Sequence, residues 1–472
     1  MRPASVPSYA ANTDEFSPDE AQTFPDASES PCILLLQGPV GPFFSRVASD
    51  FKKRGYTVHK INFNGGDKHF YRHDNAVDYE ELPEEWVNYL STYIKRNSIS
   101  RIYLFGDCRF YHAEAKKVAD SLGIQVYVFE EGYVRPNYIT LELGGVNGFS
   151  SLMNRPAVVG NPSAYTEVVE KSGRFCFVAS ACYAVIYYLA ASIYSRRFSG
   201  YIHHRPLGWL TEGSIWVRAG YRKLIKRRAG AAVVRKLKTR WQNQYFLCPL
   251  QVHCDMQVVV HSPYESIDEF ICEVMTSFAK HSPKNHALVF KHHPLDRGYT
   301  SYKLLIDQLA KALHVSERVF YVHDVSLPKM LQNAEGSVMI NSTVGMSSLY
   351  HQTPVKVMGE AVYDRKDLTF QGTLDEFWGA PGQVNDEAFT RFRSFLIRNN
   401  QLNGNLYRRC SKTSDSGIVW SGKLLAEHTP QATEIDPIEQ PKRVRVVADS
   451  TREAANTSRV NDGKKGGFSK SA

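Results

Sequence analysis

Twice along this chain a short apolar run ends in a polar turn and passes into an amphipathic stretch of helical period. That alternation restricts the fold more than any other feature. The first series opens with strand-like Pro31–Leu36, the turn Gln37–Pro42 and a helical stretch over Phe43–Arg54. Strand-like Val58–Asn62, helical Trp86–Arg96, strand-like Arg101–Phe105, helical His112–Leu122 and strand-like Gln125–Phe129 continue it. After Phe246 the series restarts. Strands at Met256–Val260, Ala287–Phe290, Val319–Val322, Ser337–Ile340 and Pro354–Met358 alternate with helices at Ile267–His281, Tyr302–Leu313 and Leu327–Ala334. Strands alternating with helices of this length predict parallel sheets. The expected fold class is α/β: two Rossmann-like domains facing a cleft, with a helical basic insertion between them.

The expected organisation is a flexible acidic arm over 1–30, a first Rossmann-like domain over 31–150, and a helical basic segment over 151–245. A second Rossmann-like domain follows over 246–425, then a disordered tail over 426–472. The arm carries six acids, one Arg and no apolar core, so it is not a secretory signal. The eight cysteines form no CxxC and no zinc spacing, which predicts free thiols in a cytosolic chain and no metal site.

The net charge of +9 is not spread evenly. Arg196–Arg240 holds 13 Lys and Arg against the single acid Glu212, so the rest of the chain is slightly acidic. No nucleic-acid reading motif accompanies this segment, and nucleic acid is not an expected partner. Immediately before it, Phe175–Ser195 runs 21 residues without a charge, about the length that crosses a bilayer core.

Ligands of doubly wound sheets bind at the carboxyl ends of the strands. Gln37 and Gly38, Asp107, Glu130 and Glu131, Ser262, Lys291–Pro294 and Asn341–Ser348 all occupy such ends in the expected fold. Neither GxGxxG nor GxxxxGK[ST] occurs, so dinucleotide and P-loop readings lack their main support. Asn341, Ser342, Thr343, Ser347 and Ser348 offer hydroxyls and helix-start amides to an anion, or else simple capping. Lys291, His292, His293 and Pro294 suit a phosphate, or else form a surface turn. Glu130 and Glu131, with Asp107 nearby, are candidates for base or nucleophile, or else a solvated acidic turn. Arg135 pairs with a substrate carboxylate or with Glu131. Acids in one half and phosphate-binding groups in the other suit transfer from a nucleotide sugar, with cations and helix ends stabilising the leaving phosphate in place of a metal.

Seven segments in collinear order carry a family resemblance: LLLQGPVGPFF (34–44), LFGDCRFYH (104–112), FEEGYVRPNYITLE (129–142), YIHHRPL (201–207), PLQVHCD (249–255), FKHHPLDRG (290–298) and NSTVGMSSL (341–349). Together they resemble the bacterial capsule polysaccharide biosynthesis and export family, in particular KpsS-type β-Kdo transferases. The resemblance implies a GT-B fold and a CMP-Kdo donor. It implies transfer of 3-deoxy-manno-octulosonic acid (Kdo), with retention, to phosphatidylglycerol or its lyso form, starting a poly-Kdo linker. It also implies other capsule biosynthesis and export proteins as partners. Glu131 then becomes nucleophile or base, assisted by Glu130 or Asp107, where related transferases tend to have Asp before Gly. Lys291 and His293-Pro294 become the phosphate-binding groups.

Glu131 and His293 must then lie on one side of any membrane, so a simple crossing at Phe175–Ser195 is not expected. The expectation is a cytoplasmic chain peripherally attached to the inner membrane. Arg196, Arg197, His203, His204, Arg205, Arg222, Lys223, Lys226, Arg227 and Arg228, with Trp209, Trp216 and Trp241, would face anionic lipid. A non-catalytic export accessory and a CDP-glycerol-type phosphotransferase are the competing functions.

Overall fold

The computed structural model describes residues 31–154, 176–202 and 209–420. The expected arm and tail lie outside these residues, as do His203, His204 and Arg205. The first series comprises β1 (Cys32–Leu35), α1 (Phe43–Lys52), β2 (Thr57–Asn62), α2 (Gly65–Phe70), β3 (Ala76–Asp78), α3 (Trp86–Arg96), β4 (Ile99–Phe105), α4 (Phe110–Ser121), β5 (Gln125–Glu131) and β6 (Tyr138–Leu143). Helices α5 (Cys176–Ile193) and α6 (Trp209–Arg240) follow. The second series comprises β7 (Tyr245–Pro249), α7 (Met256–Val260), α8 (Ile267–His281), β8 (Ala287–Lys291), α9 (Lys303–Ala312), β9 (Val319–Val322), α10 (Leu327–Leu331), β10 (Gly336–Met339), α11 (Val344–Tyr350) and β11 (Val355–Val357). The described chain ends through α12 (Leu374–Phe377), α13 (Asp386–Asn399) and β12 (Gln401–Asn403).

The first sheet runs β12-β6-β5-β4-β1-β2-β3 and the second β11-β10-β7-β8-β9. Strands β1 to β5 pair in parallel, as do all five strands of the second sheet. Each parallel set therefore has the doubly wound order 3-2-1-4-5, with a switch point between its first and fourth strands. Period-2 alternation explains the two-sided burial of the first sheet. Ile33, Leu35, Val58 and Phe129 pack with Phe43, Phe44 and Phe51 of α1 on one face. Leu34, Ile61, Leu104 and Val128 meet Trp86, Leu90 and Ala115 on the other. In the second sheet Phe246, Leu288 and Phe290 pack on Ile271, Met275 and Phe278 of α8. The reverse face, through Leu247 and Val289, covers Leu237 and Trp241 at the end of α6.

Three expectations need correction. Met256–Val260 is the helix α7 and not a strand. Asp255 caps it by accepting from the Gln257 amide at 3.0 Å, and of its five residues only Val258 is buried. The strand that opens the second sheet is β7, all of whose residues are buried. The second domain expected over 246–425 is also not contiguous, because after α13 the chain returns to the first sheet, where β12 pairs antiparallel with β6. Finally, Trp241 is buried against Phe320, at 5.3 Å between ring centroids, and not free for lipid.

Helix α5 lies along α2 at close range. A Cβ on Gly65 would stand 2.3 Å from the Ala190 carbonyl oxygen, and one on Gly66 2.5 Å from the Tyr187 ring. Only glycines permit that approach. The other side of α5 is apolar and open, with Val185 56% and Ile193 69% exposed alongside Val178, Ile186 and Leu189. Among the described residues no helix is long and apolar enough to cross a membrane.

Candidate active site

Each switch point is bridged by a glutamine. In the first sheet Arg109, just past β4, donates to Gln37 Oε1 at 2.8 Å. The Gln37 amide donates to the hydroxyls of Tyr201 at 2.8 Å and Tyr187 at 3.0 Å. In the second sheet the Gln251 amide donates to Asn341 Oδ1 at 3.0 Å. Gln37 is thus committed to fastening α5. Gly38 meets Phe44 so closely that a Cβ would sit 2.8 Å from its ring.

Glu130 and Glu131 end β5. Strand alternation turns them to opposite faces of the sheet end. Glu131 shares the α1 face with Phe129, and its side chain is 40% exposed. The Arg135 guanidinium lies 3.9 Å from Glu131 Oε2, and the Tyr407 hydroxyl donates to Oε1 at 3.3 Å. Gly132 permits the turn beyond them, since a Cβ there would meet the Tyr138 carbonyl at 2.3 Å. Glu130 accepts from the Glu131 amide at 2.9 Å. Burial raises its pKa to about 7, the Glu131 and Asp107 charges adding to the rise while the Glu131 amide and Arg109 oppose it.

Asp107 is enclosed by the fold. Its carboxylate is fully buried, 3.1 Å from the Lys116 ammonium, and accepts from the Val146 amide at 3.2 Å. It anchors the loop after β6 to α4, and its effect on the site is electrostatic.

In the second lobe the paired histidines diverge. His292 is buried, with Nδ1 2.7 Å from the Tyr321 hydroxyl and its ring 4.5 Å from that of His323. His293 is half-buried and its Nδ1 accepts from the Leu295 amide at 3.2 Å, capping the short turn Pro294–Asp296. Its pKa falls to about 4, chiefly through burial and then the Lys291 charge, with Arg135 of the first lobe contributing. A neutral ring whose Nδ1 accepts must carry its proton on Nε2, so His293 offers an N–H donor. Lys291 is buried beside it, and desolvation lowers its pKa.

The remaining donor-site candidates separate clearly. Asn341 donates to the carbonyls of Gln257 at 2.8 Å and His261 at 3.2 Å, so it holds α7 in place. Ser348 is buried, donating to the Val344 carbonyl at 3.0 Å and accepting from Ser337. Ser262 donates to the Val258 carbonyl at 2.5 Å and accepts from the Tyr264 amide. Neither hydroxyl is available to a ligand. Ser342 accepts from the Val344 amide at 3.3 Å. Thr343 makes no side-chain cap to α11, and Thr343 and Ser347 remain half-buried. Pro294 is exposed.

The lobes touch where His261, buried, packs its ring 4.5 Å from that of Phe149, with Nε2 3.6 Å from Cys108 Sγ. The basic segment is only partly free. Arg197 pairs with Asp78 at 2.9 Å and Glu80 at 2.6 Å. Arg222 donates to the carbonyls of Arg297 at 2.8 Å and Thr300 at 3.2 Å. Burial lowers the pKa of Lys226, with Arg222 and Lys303 adding to the effect. Arg196, Lys223, Arg227 and Arg228 are exposed. The side chains of Trp209 and Trp216 are outside the described residues.

Sequence reasoning passed over Arg109, Gln251 and Tyr407. Arg109 and Gln251 follow strand ends and were findable by position. Nothing local marks Tyr407, which reaches Glu131 across 276 residues of chain.

Two doubly wound sheets, with acids at the strand ends of one and Lys291 and His293 at those of the other, make this a two-lobed α/β chain. The chain belongs to the capsule polysaccharide biosynthesis protein family, whose sequence profile matches residues 100–407. It is 40% identical over 378 residues to the capsule polysaccharide export protein KpsS of Escherichia coli, covering 79% of this chain and 96% of that one. It is 38% identical over 399 residues to the capsule polysaccharide modification protein LipB of Neisseria meningitidis serogroup B, covering 81% and 94%. Among solved structures it is similar to the β-Kdo 2,7 transferase KpsC of Thermosulfurimonas dismutans, with 15% identity, a TM-score of 0.37 and coverage of 78% and 99%.

Proposed function

We propose that this chain is a retaining glycosyltransferase that moves Kdo from CMP-Kdo to phosphatidylglycerol or its lyso form, beginning the linker of a lipid-anchored capsule chain. The observation that carries the reading is that Arg135, 3.9 Å from Glu131, also acts on His293, which brings the candidate groups of the two lobes near each other. An exposed carboxylate, Glu131, stands in one lobe, and Lys291 with a proton-donating His293 stands in the other. Arg135 is close enough to depress the His293 pKa.

In the first step Glu131 attacks the anomeric carbon, and the bond to the CMP oxygen breaks with its electron pair leaving on CMP. Lys291 and His293 Nε2–H stabilise the departing phosphate, so the reaction is proposed to need no metal. In the second step an acceptor hydroxyl displaces Glu131, passing its proton to Glu130. Two inversions retain configuration. A carboxylate with a pKa of about 7 is suited to take that proton and release it near neutrality.

The lipid acceptor is proposed to be met at the inner membrane surface, alongside other capsule proteins, by a chain on the cytoplasmic side. The open apolar side of α5 and the exposed Lys223, Arg227 and Arg228 support that reading.

Incubation with CMP-Kdo and a fluorescent phosphatidylglycerol, followed by mass analysis, tests the proposal. A product heavier by one Kdo is expected, and no such product with Glu131→Gln or His293→Ala. Absence of product with intact protein, despite CMP-Kdo binding, overturns it. The Escherichia coli relative is named for export, so a polymer-binding accessory is the second reading, in which CMP is never released.

A further inference from the structure

Arg109 follows β4 at the first switch point, the place where doubly wound sheets receive their ligands. Its side chain is half-buried. The guanidinium lies over the Phe105 ring, 5.5 Å from the centroid, and Nη1 donates to Gln37 Oε1 at 2.8 Å. Asp67 and Glu130 feel its charge, but among the described residues neither forms an ion pair with it. Its Nε and Nη2 make no hydrogen bond among the described residues, and neither is sealed in the fold, so that edge opens to solvent. The Nε–Nη2 edge is the fork that takes an oxyanion through two parallel N–H bonds.

The bond to Gln37 has a fixed direction. The Tyr187 hydroxyl donates to Asp67 Oδ1 at 3.3 Å, so it accepts from the Gln37 amide at 3.0 Å and the Asn64 amide at 2.7 Å. With its NH₂ thus turned to Tyr187, and to the Tyr201 hydroxyl at 2.8 Å, Gln37 must present Oε1 to Arg109. Gln37 is 4% exposed and has no freedom to turn away. A neutral carbonyl therefore holds a partly desolvated cation in one orientation and leaves its charge uncancelled. Had a carboxylate stood at 37, the orientation would survive and the charge would not.

The acid strand end is adjacent. A Cβ on Gly106, in the turn that leads to Arg109, would stand 3.4 Å from Glu130 Oε2. The other cation at this end, Arg135, is already engaged. It lies 3.9 Å from Glu131 and its Nε donates to the Gly132 carbonyl at 3.1 Å. Arg109 is thus the cation beside the acids with an unoccupied fork.

We infer that Arg109 is an anion-binding residue of the site, taking the carboxylate of the transferred sugar acid on its Nε–Nη2 edge, with Gln37 as its positioning residue. The assignment of the anion to a sugar carboxylate rests on the function proposed above; the open, uncancelled guanidinium does not.

Calorimetric titration of the full chain with CMP-Kdo, with CMP as the reference ligand that lacks the carboxylate, tests the inference. Intact protein is expected to bind CMP-Kdo more tightly than CMP. Arg109→Met is expected to weaken CMP-Kdo at least tenfold and leave CMP unchanged. Arg109→Lys keeps a charge but no fork, and is expected to weaken it at least threefold; it carries the decision if the Met variant unfolds. Gln37→Glu keeps the contact with Arg109 and cancels its charge, so it is expected to weaken CMP-Kdo as Arg109→Met does, whereas a merely structural role at 37 would leave CMP-Kdo binding as it is. Equal CMP-Kdo binding by intact protein and the Arg109 variants overturns the carboxylate assignment. If the same variants then lose sn-glycerol 3-phosphate, the anion is the acceptor phosphate; if they bind it equally, or it does not bind, the anion role itself is overturned. Arg109-dependent binding of CMP-Kdo by a chain that transfers no Kdo fails the function proposal alone.

Discussion

The Tyr407 hydroxyl donates to Glu131 Oε1 at 3.3 Å, although 276 residues of chain separate the two. A hydrogen bond to a charged acceptor contributes about 1.5–3 kcal/mol. Tyr407→Phe is therefore expected to lower the transfer rate roughly tenfold to a hundredfold while leaving the donor KM in place. Steady-state kinetics at saturating lipid measure the split. A raised donor KM at unchanged kcat contradicts a role at Glu131.

The pH response of Glu130 has a definite sign. Its pKa rises from 4.5 to about 7 on folding, so the folded chain binds more protons between those values. The contribution is favourable below pH 4.5 and is lost as pH rises through 7. Glu130→Gln removes that loss, so the variant is expected to be more stable than the parent at pH 8, by roughly 1–3 kcal/mol, and equally stable at pH 4. Urea unfolding at the two pH values measures the difference, and an equal effect at both contradicts the assignment. The same variant is expected to lose the rise of transfer rate between pH 6 and 8.

His323 is buried with both ring nitrogens unpartnered among the described residues, and its pKa falls to about 3, chiefly through burial and then His292 and Lys226. Unfolding lets it charge near pH 6.5, so its neutral form supports the fold above that value and the support is lost as pH falls toward 3. His323→Phe is expected to raise the thermal midpoint more at pH 5 than at pH 7.5. A shift independent of pH contradicts the prediction.

With Lys291 and His293 assigned to the leaving phosphate, dialysis against EDTA is expected to leave transfer unchanged, and His293→Asn, which keeps an N–H donor, to retain more rate than His293→Ala. Loss of transfer in EDTA, restored by a divalent cation, contradicts a metal-free step.

Docking at lipid is expected to depend more on α5 than on the whole basic segment, because Arg222 donates to carbonyls of the second lobe and Lys226 is partly buried. Val185→Glu with Leu189→Glu is expected to abolish flotation with phosphatidylglycerol vesicles even at low salt. Neutralising Lys223, Arg227 and Arg228 is expected to weaken flotation at low salt only. Full flotation of the α5 variant contradicts the assignment.

The strand–helix rhythm was legible in sequence because buried parallel strands read as apolar runs and their helices as amphipathic ones. Trp86–Arg96, Ile267–His281 and Val319–Val322 are placed to the residue. The apolar run Met256–Val260 misled because β-branched residues suit a strand, and one capping aspartate outweighed that preference. Acids at the end of β5 and Lys291 and His293 at the end of β8 were visible by position. The division of His292 from His293, the occupation of Ser262 and Ser348, and the arrival of Tyr407 depend on packing over long separations, and no local pattern encodes them.

The pairing of β12 with β6 carries a consequence for synthesis. Chains fold from the amino end as they leave the ribosome. Both switch points are complete by residue 345, whereas Tyr407 and the Leu406 carbonyl that Arg46 grips arrive last. A chain interrupted before β12 has an assembled donor lobe but an acid strand without its final neighbours. On the function proposed above, competence comes late, because the surroundings of Glu131 are completed only by the last described strand and the residues after it.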